Sequence, residues 1–508
     1  MRHAINLAIL AIALVLGGIA SAENKKPNIL FILADDLGYG DVGFCPIPAT
    51  NVLARLKTAR LDALARGGVV LTGHYAAAPV SAPSRASLIT GRVQGECSLR
   101  DNCFDRPFAE TNTLASVLKG AGYATWAVGK WGVAGGGESG LPVSSHPLDR
   151  GFDYFYGFLD HMAGHTYYHY KGHINRAYMG VTENRRDVTD EAIGIYSTDL
   201  YIAKAKSLVS RHVAENRQTP FFLYLAINTI HGSGQCDDTL ADKSTLHVPG
   251  GPYPEGGVEW PLRPEPKELR NTWIDPAFRS LPAPAARYAT AIKRMDDAIG
   301  DLLDLLDRLG VADDTLIVFT SDNGPADEYG ADPRTFGSAG GLDGLKRDVF
   351  EGGMRVPAAV RWPARIAPGT IYAEPTQFHD WMATLAAAAG VEAPPECEGV
   401  SLLPRWGVGE GAPKPSLVYS QYNFPWAGAS EAFREFAARK GAVRGLQQMV
   451  RSGRHVALRT RIGESDGGRV RLYDVVSDPF ESEDLTGRPE NAALLSDLTR
   501  ILDERLRK

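Results

Sequence analysis

Apolar residues gather in short unbroken runs along the first two thirds of the chain. Ile29-Leu30-Phe31-Ile32-Leu33, Ala124-Thr125-Trp126-Ala127-Val128, Phe221 through Ile227, and Leu316-Ile317-Val318-Phe319 are each bounded by polar residues, Pro or Gly. Such runs suit strands buried on both faces, as in a parallel sheet. Between them the period changes to that of a helix. Over 288–309, Ile292, Met295, Ile299, Leu302, Leu306 and Leu309 form one apolar stripe, and Gly310 is a natural stop. Strands alternating with such helices predict an α/β fold built on a large, doubly wound, mainly parallel sheet. Beyond about residue 410 the pattern changes. His455 to Thr460 and Arg469 to Asp474 alternate like antiparallel strands, and 491–507 reads as a closing helix. The expected division is a large catalytic domain over 23–410 and a smaller α+β subdomain, antiparallel sheet plus helix, over 411–508.

The first 22 residues stand apart. Arg2 supplies a positive start, 7–19 an apolar core interrupted by Gly17-Gly18, and Ala20-Ser21-Ala22 a small-residue cleavage site. Residues 1–22 are therefore read as a secretory signal, which predicts an exported protein, periplasmic or secreted. The run is short for a membrane span and no later segment replaces it, so the chain is not expected to be membrane-embedded. The formal charge of −6 gives no basic footprint for nucleic acid, while leaving an anionic substrate open. Cys45, Cys97, Cys103, Cys236 and Cys397 lack Cys-x-x-Cys or Cys/His ligand spacing, so zinc is not expected. Cys97 and Cys103 are close enough in sequence to bridge.

Two of the apolar runs end in acids. Asp35-Asp36 follows the first and Asp322-Asn323 the last. Ligands of open α/β sheets bind beyond the carboxyl ends of strands. Adjacent carboxylates repel unless a positive charge relieves them. Hard oxygen donors of this kind suit calcium or magnesium.

Between these clusters lies Ser81-Ala82-Pro83-Ser84-Arg85-Ala86-Ser87-Leu88-Ile89-Thr90-Gly91-Arg92. No Gly-x-Ser-x-Gly elbow surrounds Ser81, so it is not the serine of an acyl-transfer hydrolase. The stretch resembles the signature of the sulfatase family, which opens with Cys or Ser, x, Pro-Ser-Arg and closes with Thr-Gly-Arg. The resemblance extends over nearly all of the chain after residue 22. It covers Gly129-Lys130-Trp131, His231 three residues after Asn228, the segment from Gly341 to Pro357 around Lys346 and Glu351-Gly352-Gly353-Met354-Arg355-Val356-Pro357, the 380–390 helix, and the Leu-Tyr-Asp…Asp-Pro-x-Glu…Asp-Leu pattern of 472–485.

The resemblance implies a set of roles. Ser81 becomes formylglycine, an aldehyde made by a maturation enzyme that acts on serine. Asp35, Asp36, Asp322, Asn323 and the modified Ser81 bind a divalent cation, usually calcium, with magnesium as the alternative. Arg85 holds the aldehyde hydrate and the metal ligands. Lys130 and Lys346 take the sulfate oxygens, and His231 protonates the leaving oxygen. One hydroxyl of the hydrate attacks sulfur, and the other later expels sulfate. A plain serine sulfate has no second oxygen to do this. Two places depart from the family: Gly132 stands where a His would contact the hydrate, and Gly232-Ser233 follows His231 where the family has a proline-containing continuation.

The same resemblance predicts a sulfuric ester hydrolase acting on a sulfated carbohydrate or an aryl sulfate ester. The aromatic and His density of 161–173 suits either a sugar-binding wall or a well-packed loop, and His165 is the expected substrate contact. Two alternatives remain open at this point: a formylglycine-dependent phosphonate or phosphodiester hydrolase, and a catalytically dead glycan-binding homologue, the latter suggested by Gly132.

Overall fold

The computed structural model describes residues 25–46, 56–102, 106, 108–135, 143–174, 177–232, 246–327, 332–409, 411–424, 445–465 and 467–506. The predicted signal at 1–22, Cys103 and Cys236 lie outside the described residues, and Cys97 is a free thiol. Among the described residues no helix is long and apolar enough to cross a membrane.

The four apolar runs become neighbouring strands, β1 (Asn28–Ala34), β2 (Ala124–Lys130), β3 (Phe221–Ala226) and β4 (Thr315–Ser321). They pair in parallel in the spatial order β4-β1-β3-β2 at the centre of a ten-stranded sheet. Tyr154–Phe158 continues the parallel set beyond β2. Shorter strands finish both edges, where antiparallel pairings enter.

Each central strand is apolar on both sides because both sides are covered. Leu30 and Ile32 of β1, Leu223 and Leu225 of β3, and Ile317 and Phe319 of β4 pack with the helices α2 (Ser197–Asn216) and α3 (Ala283–Arg308). The alternating residues Ile29, Phe31, Leu33, Phe222, Tyr224, Leu316 and Val318 face α1 (Ser81–Thr90) and the Leu114–Gly120 and Asp380–Ala388 helices. Full burial of one such side chain is worth about 1.5–3 kcal/mol, so two covered faces make this sheet a rigid floor for what its strand ends carry. Helix α3 carries the expected stripe, with Ile292, Met295, Ile299, Leu302 and Leu306 buried. It starts five residues earlier than the stripe suggests, because Pro284 sits in the first turn, where a missing N–H costs nothing.

A second, four-stranded antiparallel sheet follows, Val418–Phe424, Gly445–Ser452, His455–Arg459 and Arg471–Asp474 in that order. The closing helix, Ala492–Leu506, lays Leu498 and Leu502 against Tyr419, Val450, Ala457 and Leu472. The opposite face of this sheet packs on Tyr75, Val349, Phe350 and Met354. The architecture is thus α/β with a small antiparallel sheet and helix at the carboxyl-terminal side, as the pattern predicted.

Candidate functional site

The strand register brings the sequence-predicted residues together. Ala34 pairs with Ser321, so Asp35-Asp36 and Asp322-Asn323 leave adjacent strand ends side by side. Leu33 pairs with Ala226 and Ala226 with Gly129, which puts the Asn228–His231 turn and Lys130 next along the same edge. Backbone bonds lock the turns: Asp322 N–H donates to Ala34 (3.1 Å), Asp35 N–H to Thr229 (3.1 Å), and Ile230 N–H to Asp35 (2.8 Å). Asp36 sits at φ 61°, a left-handed turn that Asp tolerates better than most residues.

Above this edge stands the start of α1. The helix begins at Ser81, with Val80 in the cap position and extended backbone, and Gly91 closes it at φ 68°. Ser81 Oγ donates to Asp35 Oδ1 at 3.1 Å. One turn on, Arg85 points down into the acids. Its Nε and Nη2 both donate to Asp322 Oδ2, at 3.0 and 2.7 Å, Nη2 lies 3.7 Å from Asp35, and Nη1 donates to the Lys130 carbonyl at 3.3 Å. Lys130 Nζ donates to Asp35 Oδ2 at 2.6 Å and lies 3.5 Å from Ser81 Oγ. Lys346 Nζ donates to Asp36 Oδ2 at 2.7 Å. Its neighbour Arg347 has a left-handed backbone (φ 78°), and its N–H donates to Pro79. The Arg347 charge acts on His161: burial, then Lys130, His165, Lys346 and Arg347, hold that imidazole well below the ordinary histidine range. Arg355 and Glu351 pair with each other and with Tyr75, supporting the glycine-rich turn beneath Lys346.

The charges here are buried and closely matched. Asp35, Asp36 and Asp322 face Arg85, Lys130 and Lys346, all at most 3 % exposed by side chain. Burial, reinforced by Asp35, pushes the Asp322 carboxyl up despite Arg85. Burial pulls the Lys130 ammonium down, and Asp35 opposes that fall. Asn323 donates from Nδ2 to Asp36 Oδ1 at 2.7 Å, which turns its amide oxygen inward. That oxygen is buried and has no hydrogen-bond partner among the described residues. An unpaired buried acceptor costs about 1–3 kcal/mol. A hard cation held by Asp35, Asp36, Asp322 and Asn323 would remove that cost, so the donor set fits calcium or magnesium.

His231 lies on the other side of Asp36, Nε2 to Oδ2 3.8 Å. Burial, then Lys346 and Lys130, hold its imidazole well below the ordinary histidine range. His165 reaches it, ring centroids 4.6 Å apart, and His161 stands 5.2 Å from both rings. The sequence singled out His165 but not His161. The His-x-x-x-His spacing of 161–165 was the available signal. Of the other candidates for a sugar-binding wall, Tyr167, Tyr168 and His169 are held in the core, while His173 is exposed and packs on Tyr178. Tyr167 is fully buried and donates to the Asn228 and His231 carbonyls, Tyr168 donates to Glu265, and His169 bonds Tyr201. These three are packing residues because the Tyr167 and Tyr168 hydroxyls and His169 Nε2 already have partners inside the core.

Gly132 also has a structural reason. Its φ is 75°, and a Cβ there would lie 3.2 Å from Arg85 Cδ and 3.5 Å from Lys130 Cε. The stems of two site residues fill the space where a side chain would start.

Residues 27–391 match the family described as Sulfatase. The chain is 29 % identical to N-acetylgalactosamine-6-sulfatase of Mus musculus, over 81 % of this chain and 72 % of that protein. It is 31 % identical to steryl-sulfatase of Homo sapiens, over 75 % of this chain and 69 % of that protein. The crystal structure of Ps i-CgsB in complex with k-i-k-neocarrahexaose superposes with a TM-score of 0.68 at 28 % identity, covering 94 % of this chain and 92 % of that one. A parallel sheet presenting acids, lysines and a buried serine at its strand ends, together with these matches, places the chain in the sulfatase family. Its reaction class is sulfuric ester hydrolysis.

Proposed function

We propose that the protein is an exported sulfatase that removes sulfate from a sulfated carbohydrate, using formylglycine made from Ser81 and a divalent cation. The observation that carries this is the convergence of Ser81, Lys130, Lys346 and His231 on one acid cluster at adjacent strand ends. Residue 81, oxidised to the aldehyde, supplies a hydrated carbonyl with one hydroxyl to attack sulfur and a second to release sulfate. Asp35, Asp36, Asp322 and Asn323 would hold the cation, which would supply Lewis acidity.

The chain's own side chains do the rest. Arg85 keeps Asp322 and Asp35 oriented and spans the gap to residue 81's helix. Lys130 and Lys346 are placed to neutralise charge on the sulfuryl oxygens, where buried cations act in a low dielectric. Burial, and after it those same lysines, hold the His231 imidazole well below the ordinary histidine range. A bound sulfate ester places negative charge between the lysines and restores the ring's basicity, preparing it to protonate the leaving oxygen. His165, buried against His231, is the substrate-side contact. Carbohydrate is favoured because the Ps i-CgsB structure, which aligns over nearly the whole chain, is in complex with k-i-k-neocarrahexaose.

Two measurements test this. The peptide containing Ser81 from the native host should be lighter by two hydrogens than its sequence. Sulfate release from sulfated oligosaccharides should exceed hydrolysis of a matched aryl phosphodiester. An unmodified peptide in fully active protein refutes the aldehyde, and preference for the diester refutes the substrate class. Binding of glycan without turnover, in protein shown to carry the aldehyde, would instead favour a catalytically dead homologue.

A further inference from the structure

The geometry points to a transition-metal site formed by His161, His165 and His231, distinct from the oxygen-donor cluster, whose occupancy arrests turnover. Each of the three rings can offer one nitrogen such that the three atoms lie within 4.8 Å of one another. The tightest pair is His161 Nε2 and His165 Nε2, 3.4 Å apart. That is long for a hydrogen bond, whose N–H donors usually reach about 2.7–3.2 Å. It matches two ligands of one ion. Nitrogens about 2.0–2.1 Å from a tetrahedral metal lie about 3.3–3.4 Å apart.

The scaffold favours the arrangement. Phe158, at the end of the strand beside β2, pairs with Lys130, and Trp131 N–H and Gly132 N–H donate to Phe158 and Leu159. Residues 162–165 then form one helical turn, which holds the His161 and His165 rings 5.2 Å apart against His231. Three imidazole nitrogens are a donor set for Zn2+, Co2+ or Cu2+, not for calcium. Lys130, Lys346 and Arg347 oppose a second cation here, so the site rests on the geometry of the three ring nitrogens and not on charge.

The arrest rests on the proposed role of His231, whereas the binding does not. A metal on either ring nitrogen stops the imidazole from cycling to imidazolium, so no proton reaches the leaving oxygen.

The test uses the full-length protein with saturating Ca2+, so that the carboxylates are filled, and Co2+ as the probe. Intense visible bands of four- or five-coordinate Co2+ should saturate near one equivalent and disappear on adding Zn2+. His161→Ala should weaken binding by more than the roughly 100-fold that loss of an outer partner costs. His161→Gln keeps the ring's volume, and thermal unfolding without metal reports whether either variant folds. Absence of the bands, or bands unchanged in a folded His161→Gln variant, overturns the site. In the same titration Zn2+ should stop sulfate release in the parent and not in the His161 variants. Stoichiometric binding with undiminished turnover overturns the arrest and the proton-donor role of His231, while leaving the site standing.

Discussion

Arg85→Ala tests the electrostatic core of the site. Arg85 is wholly buried and makes both of its short contacts to one oxygen of Asp322. Removing one partner of a buried ion pair leaves the other charge without compensation and costs about 3–5 kcal/mol. That is a large share of the roughly 5–15 kcal/mol by which folded proteins are stable. Arg186→Ala is the control. It also removes an arginine with two carboxylate contacts, to Glu183 and Glu191, but on the surface, where solvent screening leaves such pairs worth little. Urea unfolding of both variants in the presence of a calcium chelator should separate them clearly. Calcium should then recover part of the Arg85→Ala deficit, because a cation at Asp35, Asp36 and Asp322 replaces the lost positive charge.

The pH dependence has a definite sign. Asp322 in the folded protein already holds its proton more tightly than an unfolded carboxyl, through burial and Asp35, even with Arg85 present. Without the guanidinium that excess grows. Between the ordinary carboxyl value near 4 and Asp322's raised one, the folded variant binds more protons than the unfolded chain, so its stability falls as pH rises. The deficit should be smallest below about pH 4 and grow as pH rises through Asp322's raised value. A deficit under about 1 kcal/mol, one that matches Arg186→Ala, or one that grows on acidification would refute the reasoning.

Other substitutions probe single roles. His231→Gln should lower kcat/KM by about 10²–10⁴ for sugar sulfates and far less for nitrophenyl sulfate, whose leaving group needs no proton; equal losses on both substrates would contradict a proton donor. Lys346→Ala should cost about 10²–10³ in kcat, read by sulfate release at saturating substrate, and a loss below tenfold would exclude it from transition-state stabilisation. Gly132→His should destabilise the fold by about 1–2 kcal/mol through its left-handed backbone and displace Arg85; a gain in kcat/KM would show that the site can accept the ring after all.

The central strands were legible because burial on both faces leaves nothing to alternate, so β1 through β4 read as plain apolar runs, and the acids that follow them mark the carboxyl edge. The edge strands Val69–Leu71 and Thr370–Tyr372 are too short to carry a period. Val418–Phe424 and Gly445–Ser452 were missed for another reason. Their interior is partly polar: Gln448 bonds the Tyr419 hydroxyl and Gln447 the Arg347 carbonyl, so hydrogen bonds satisfy groups that a hydrophobicity pattern scores as exposed. Lys346 and His231 carry no local pattern either, and only their resemblance to family motifs marked them.

The 161–169 segment shows where local sequence stops being informative. His161, His165, Tyr167, Tyr168 and His169 are alike in composition and a few residues apart, yet the first two face His231 while the others are packed inside. What divides them is the neighbour each finds. The 162–165 turn leaves its strand beside Lys130 and carries its histidines over the acid edge. Tyr167 then meets the Asn228 and His231 carbonyls from behind, and Ser197 N–H donates to the Tyr167 carbonyl, tying it to the start of α2. The tyrosine that looked like a sugar platform is therefore the support that fixes the His231 turn. Its loss should act on turnover through the position of that imidazole, not through carbohydrate affinity.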